Sequence, residues 1–125
     1  MRLEKCAEAF VALRALADKD MPYETAYAIS RVMRELKGEF DFFAKQEIEL
    51  MNTYGERGED GRVMFGAGQW TVAHGKEEEF LREREKLCSI EINYALPEQT
   101  APPPEKISPR TIEALDGFIN FKGGN

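Results

Sequence analysis

Tyr23, Tyr27, Arg31 and Arg34 follow one another at spacings of four, four and three, so on a helix they fall along one side. A tyrosine ring offers a flat face on which a nucleobase stacks. A guanidinium grips a phosphate through planar, paired hydrogen bonds. Together the four residues have the chemistry to hold a small anionic nucleotide, and two such stripes facing each other in an oligomer would enclose it. The competing structural account has the tyrosines packing on a neighbouring helix while Arg31 pairs with Glu35 on the same face.

Two further residues could meet a ligand or a partner. Trp70 is the single tryptophan and lies beyond Gly66–Ala67–Gly68, where it would either anchor a partner or cover the end of the helical layer. His74, the single histidine, has the chemistry of a general base. No Ser, Cys or Asp stands at a motif-like spacing to orient it or be activated by it, so it reads as a solvated loop residue. Gly66–Ala67–Gly68 lacks the strand, lysine and helix context of a phosphate loop and reads as a turn. Carboxylates pair at helical spacing in Glu35 with Glu39 and Glu79 with Glu83, but no Glu-x-x-His accompanies them. Asp41 with Lys45 and Glu78 with Arg82 read as surface ion pairs. Cys6 and Cys88 stand apart, without a C-x-x-C motif, and read as buried thiols. No catalytic residue, metal site or cofactor is predicted.

Positioning these side chains falls mainly to helices. Leu3, Cys6, Phe10, Leu13 and Leu16 recur every three or four residues among alanines, which predicts a first amphipathic helix. Asp18–Lys19–Asp20–Met21–Pro22 ends it, since Pro22 suits the first turn of a new helix. From there Ala26, Ile29, Met33, Leu36, Phe40 and Phe43, then Met51 and Tyr54, mark one long helix over about residues 23–54. At ~1.5 Å per residue it would span roughly 48 Å, against a diameter of about 36 Å for a globule of this chain length. It must therefore project or kink near Gly38. An apolar stripe left projecting in water predicts self-association, as a homodimer or higher oligomer.

Arg62–Val63–Met64–Phe65 and Gln69–Trp70–Thr71–Val72 flank the glycine-containing connector as a hairpin. A third helix is predicted from about Lys76 to Leu87, its three leading glutamates complementing the helix dipole. A strand follows over Ser89–Tyr94. Pro97 to Lys106 carries four prolines and reads as an extended surface connector. Ser108–Pro109 then opens a short helix ending at Gly117, Phe118–Phe121 adds a last strand, and Lys122 to Asn125 frays. The predicted fold class is α+β and helix-dominated: an antiparallel helix pair with one long member, a small β-hairpin or strand element, and two shorter helices. Residues 1–125 form a single domain, with a helical core and hairpin in 1–96, the proline-rich connector in 97–106 and the C-terminal helix and strand in 107–121.

Composition narrows the partners. The chain has 125 residues, with 17 Lys+Arg against 23 Asp+Glu, and a net charge of −6. Acid gathers in residues 22–54 and 76–98, and no basic footprint for duplex DNA appears. Leu, Ile, Val and Phe make up 28 residues, enough for a thin core only. No stretch approaches the ~18 apolar residues of a membrane span, and the charged start Met1–Arg2–Leu3–Glu4–Lys5 does not resemble a secretory signal. A cytoplasmic location is expected.

With these landmarks in order, the chain resembles a family of short acidic proteins of phages and prophages of Gram-positive bacteria, a domain of unknown function. The resemblance rests on Ala12–Leu13 and Leu16, on Met21–Pro22–Tyr23–Glu24–Thr25–Ala26–Tyr27–Ala28–Ile29, and on Glu39–Phe40. It continues through Tyr54–Gly55–Glu56, Gly61, Glu79–Phe80, Leu87 and Ile90–Glu91–Ile92, and closes on Ile107–Ser108–Pro109, Leu115 and Ile119. It implies a phage accessory protein at work in the host cytoplasm. The expected function is non-enzymatic: an anti-defence or host-modulating oligomer that binds a host protein or sequesters a nucleotide signal. The alternative is a structural or assembly factor of the virion tail, acting as scaffold or chaperone.

Overall fold

The computed structural model describes residues 1–63, 65, 66 and 69–122, with backbone alone for 65, 66, 69 and 70. The expected fraying of Lys122 to Asn125 therefore falls largely outside the described residues, as does most of the Gly66–Ala67–Gly68 turn. Helix α1 runs over Leu3–Leu16 and α2 over Tyr23–Tyr54, an unbroken rod of 32 residues. Pro22 stands at its N-cap, and the Pro22 carbonyl accepts the Ala26 amide at 3.0 Å. The helix continues unbroken through Gly38.

The two helices run antiparallel, as their shared core residues show. Leu13 and Leu16 of α1 sit in one buried cluster with Ile29, Val32 and Leu36. Leu3 and Ala7, at the other end of α1, join Phe43 in a second cluster. Between them Phe10 stacks on Phe40 with ring centroids 4.4 Å apart. Beyond the reach of α1, helix α3 (Glu77–Cys88) takes over: Leu87 and Cys88 pack with Phe43, and Phe80 meets Tyr54 edge-on at 6.3 Å. Arg84 clasps Glu47 at 3.1 Å alongside. Ile29, Leu36, Phe43 and Met51 are thus buried within one chain, while Ala26 is exposed and Met33 and Phe40 are half-buried. The apolar stripe that predicts self-association from the sequence is largely covered by its own polypeptide.

A narrow ribbon follows α2. Strands β1 (Phe65–Gly66) and β2 (Gln69–Trp70) pair antiparallel, and bridges join Gly55 to Val72 and Arg57 to Val63. The predicted strand over Ser89–Tyr94 does not form. Its alternation is real, since Ile92, Tyr94 and Leu96 turn toward the core while Glu91, Asn93 and Ala95 face out. Its backbone neighbour is Met1–Leu3, joined through Leu3 N–H to the Ile90 carbonyl and Ile92 N–H to the Met1 carbonyl, each at 2.8 Å. That neighbour turns into α1 at Leu3, so the ladder stops after one bridge.

The proline-rich stretch is likewise more than a connector. Gln99–Ala101 forms β3, which pairs in parallel with β4 (Ile119–Phe121), Gln99 opposite Ile119 and Ala101 opposite Phe121. Short helix α4 (Pro109–Ala114) lies between them, capped by the Ser108 hydroxyl, which accepts the Thr111 amide at 3.1 Å. Gly117, at φ +88°, makes the turn into β4 that a side chain would strain. Pro104 is buried, and the Pro102 carbonyl accepts the hydroxyl of Thr25, which is wholly buried in α2. This bond ties the C-terminal unit to the long helix. Thr25→Val keeps the shape and strands a partly buried carbonyl, so it should destabilise the protein by about 1–2 kcal/mol in urea unfolding, whereas Thr100→Val at the exposed position of β3 should be nearly silent.

Candidate functional site

The buried side of α2 is defined by Thr25, Ala28, Ile29, Val32 and Leu36, and the helical repeat then forces Tyr23, Tyr27 and Arg34 outward. Tyr23 is 93% exposed and Tyr27 65%. Neither packs on α1, so the structural account of these tyrosines does not apply. Arg31 does not pair with Glu35. Its guanidinium lies 5.9 Å from the centre of the Tyr27 ring and donates to Oε1 of Gln99 in β3 across a long 3.4 Å. Arg34 is exposed. Among the described residues, neither arginine makes an ion pair; Arg2, Lys37, Arg62, Arg82, Arg84 and Lys86 do, and the other lysines and arginines, like these two, do not.

The outcome is a surface with two aromatic faces and two cations that the fold leaves unneutralised. A guanidinium carries five donors, and Arg31 uses one of them weakly. Stacked beside Tyr27, it is held partly upright before any ligand arrives, which lowers the ordering cost of binding.

A second feature adjoins this face and was not legible as a site from the residues alone. The loop after α1 and the first turns of α2 enclose a groove of about 410 Å³ lined by Ala17, Met21, Ala26, Ile29 and Met33, with Lys19 and Ser30 at its polar edge. The available signal was Ala26 and Ser30, two small residues one turn apart between Met21 and Met33. Their short side chains leave the depression that the methionines border.

Trp70 and His74 belong elsewhere. β2 ends at Trp70, whose side chain lies outside the described residues, and Ala73 N–H donates to the Tyr54 carbonyl at 2.8 Å. His74 is exposed on the turn that Lys76 N–H and the Ala73 carbonyl close at 3.1 Å. Both lie at the C-terminal end of a helix about 48 Å long, whereas Tyr23 lies at its beginning. The six sequence candidates therefore separate into Tyr23, Tyr27, Arg31 and Arg34 on one face, and Trp70 and His74 at the far end.

The remaining reactive groups are quiet. Cys6 and Cys88 are free thiols sealed in the core, and burial pushes the Cys6 thiol up to about 11, with Glu39 adding to the effect. A thiol so placed stays protonated at neutral pH and is a poor nucleophile. Among the described residues no group of three His, Cys, Asp or Glu side chains is placed to hold a metal ion, and no helix is long and apolar enough to cross a membrane. Of the two ion pairs expected from spacing, Glu78 with Arg82 forms at 3.9 Å, while Asp41 takes Lys37 at 2.7 Å in place of Lys45. Comparison of the chain with protein-family models, curated proteins and solved structures finds no match.

Proposed function

We propose that the protein is a non-enzymatic binding protein that captures a small anionic nucleotide on the outer face of the first half of α2. Tyr27 and Tyr23 supply stacking surfaces, Arg31 the principal phosphate contact, and Arg34 a second cation one turn on. The observation that carries this reading is the placement of two exposed tyrosine rings and two arginines without carboxylate partners along one side of α2, with the Arg31 guanidinium 5.9 Å from the Tyr27 ring centre. Retaining two unneutralised guanidiniums beside two exposed rings suits an anionic aromatic ligand better than solubility, which the acidic surface already supports. Sequestration of a nucleotide signal in an infected host is the biological role this chemistry fits, in keeping with the resemblance to phage proteins.

Calorimetric titration with a panel of mononucleotides, cyclic dinucleotides and ADP-ribose derivatives tests it. Saturable binding at one ligand per chain is expected, weakening as salt is raised. Loss of a charge-assisted hydrogen bond at a stacked site should weaken binding roughly 10- to 100-fold in Arg31→Ala, and Tyr27→Ala should weaken it as well. Silence across the panel, or equal affinity in Arg31→Ala, overturns the reading.

A further inference from the structure

Gln99, the first residue of β3, is held at three points. Its backbone pairs opposite Ile119, its amide N–H donates to the Phe118 carbonyl at 2.9 Å, and its side-chain Nε2 donates to the Pro97 carbonyl at 2.7 Å. With Nε2 so engaged, Oε1 is left for α2, where it accepts from the Arg31 guanidinium at 3.4 Å. Turning the amide over would give up the Pro97 bond and set donor against donor, since a guanidinium has no acceptor. Arg31, for its part, has a carboxylate one turn ahead in Glu35, with which helical spacing would pair it. Its guanidinium lies the other way, beside the Tyr27 ring one turn back.

We infer that Gln99 is a positioning residue for the nucleotide face, drawing the Arg31 guanidinium off Glu35 and steadying it beside Tyr27 without neutralising it. The inference takes the purpose of this arrangement from the nucleotide reading, and its geometry from the fold alone. A carboxylate at position 99 would grip the guanidinium more firmly, but the ion pair would cancel the charge that a phosphate requires. An amide oxygen accepts one N–H as a dipole and leaves the full charge and four of the five donors for an anion. Orienting the arginine beforehand also lowers the ordering cost of binding. Gln99 thus makes the C-terminal unit part of the site, aiming Arg31 from a strand 68 residues away in the chain.

Two measurements on the full chain decide it. Gln99→Met keeps the side-chain length and removes the acceptor. In side-chain ¹H–¹⁵N spectra, the Arg31 Nε–H signal, assigned by its loss in Arg31→Lys, should be more restrained than that of exposed Arg34 in the wild type and as mobile as Arg34 in Gln99→Met. In calorimetric titration with adenosine monophosphate at neutral pH, Gln99→Met should bind roughly 3- to 10-fold more weakly and Gln99→Glu at least about 10-fold more weakly. Adding Glu35→Gln to Gln99→Met should recover most of that loss, because the freed guanidinium then has no carboxylate to turn to; a merely damaged fold would not be rescued in this way. An Arg31 signal as mobile in the wild type as in Gln99→Met, or adenosine monophosphate bound equally by the wild type, Gln99→Met and Gln99→Glu, overturns the inference. A wild type that binds no adenosine monophosphate counts against the nucleotide reading instead, and the Arg31 signal then decides the role of Gln99 by itself.

Discussion

Phe118→Ala should remove about 3–5 kcal/mol of stability, the largest loss expected of a single substitution in this chain. Phe118 is wholly buried, meets Tyr94 edge-on with centroids 5.0 Å apart, and lies beneath the Lys5 ammonium at 5.9 Å. It shares the core cluster with Cys6, Leu13, Leu36 and Leu115. Its carbonyl also accepts the Gln99 amide at 2.9 Å, at the start of the β3–β4 pair. Truncation would open a cavity where α1, the strand pair and α4 converge. With typical domain stabilities of roughly 5–15 kcal/mol and a core this thin, the variant should be partly unfolded near room temperature. Urea titration followed by circular dichroism measures it, with Ile112→Ala on the exposed side of α4 as the near-neutral control. A Phe118→Ala protein within about 1 kcal/mol of wild type would mean that the C-terminal unit does not share the cooperative core.

Gly55→Ala should cost about 2–3 kcal/mol by a different route. Gly55 is buried at the end of α2, and its amide closes the helix on the Met51 carbonyl at 2.7 Å. A methyl group there would press on that carbonyl and on Cγ1 of Val63, 2.6 Å away. The carbonyl belongs to the helix and cannot yield, so relief must come from displacing the ribbon. That ribbon is held by the Glu56 amide on the Thr71 carbonyl at 2.7 Å and by Arg57 on the Gly61 carbonyl at 2.8 Å. Limited proteolysis should therefore find new cleavage between Glu56 and Val63 while the helical signal is retained. Unchanged protection of that segment would show that the clash is absorbed locally.

Local pattern carried much of this architecture. The three-and-four spacing from Ile29 to Phe43, with Pro22 before it, marked α2 to its observed ends, and Ser108–Pro109 marked the start of α4. What was obscured depended on contacts distant in the chain. β3 is made of Gln99, Thr100 and Ala101, which show no alternation, and its partner is the parallel strand at Ile119–Phe121. Nothing within either segment announces the other. The run Ser89–Tyr94 shows the reverse: a genuine one-sided pattern whose neighbour becomes a helix before a ladder can grow. Gly38 reads as a weak point in the sequence, yet the helix passes through it, because α1 and α3 hold the buried side of the rod on either side of that position.

The candidate site was legible to the same degree and for the same reasons. Spacing within one helix placed Tyr23, Tyr27, Arg31 and Arg34 along a common side, and burial of Thr25, Ala28 and Val32 made that side the outer one. Spacing cannot relate residues on different elements, so the separation of Trp70 and His74 from that face, most of a helix length, could not be read. The Gln99 contact to Arg31 was hidden because it required the unforeseen strand.

The closure of α1 by Leu115, Phe118 and Ile119 has a consequence for how the chain is made. Helix α1 leaves the ribosome well before the residues that cap one end of its core. Until they emerge the helix offers an incompletely covered oily edge, and its locking must wait for them. The growing polypeptide is thus adhesive along α1, which is where a holding chaperone would find its grip.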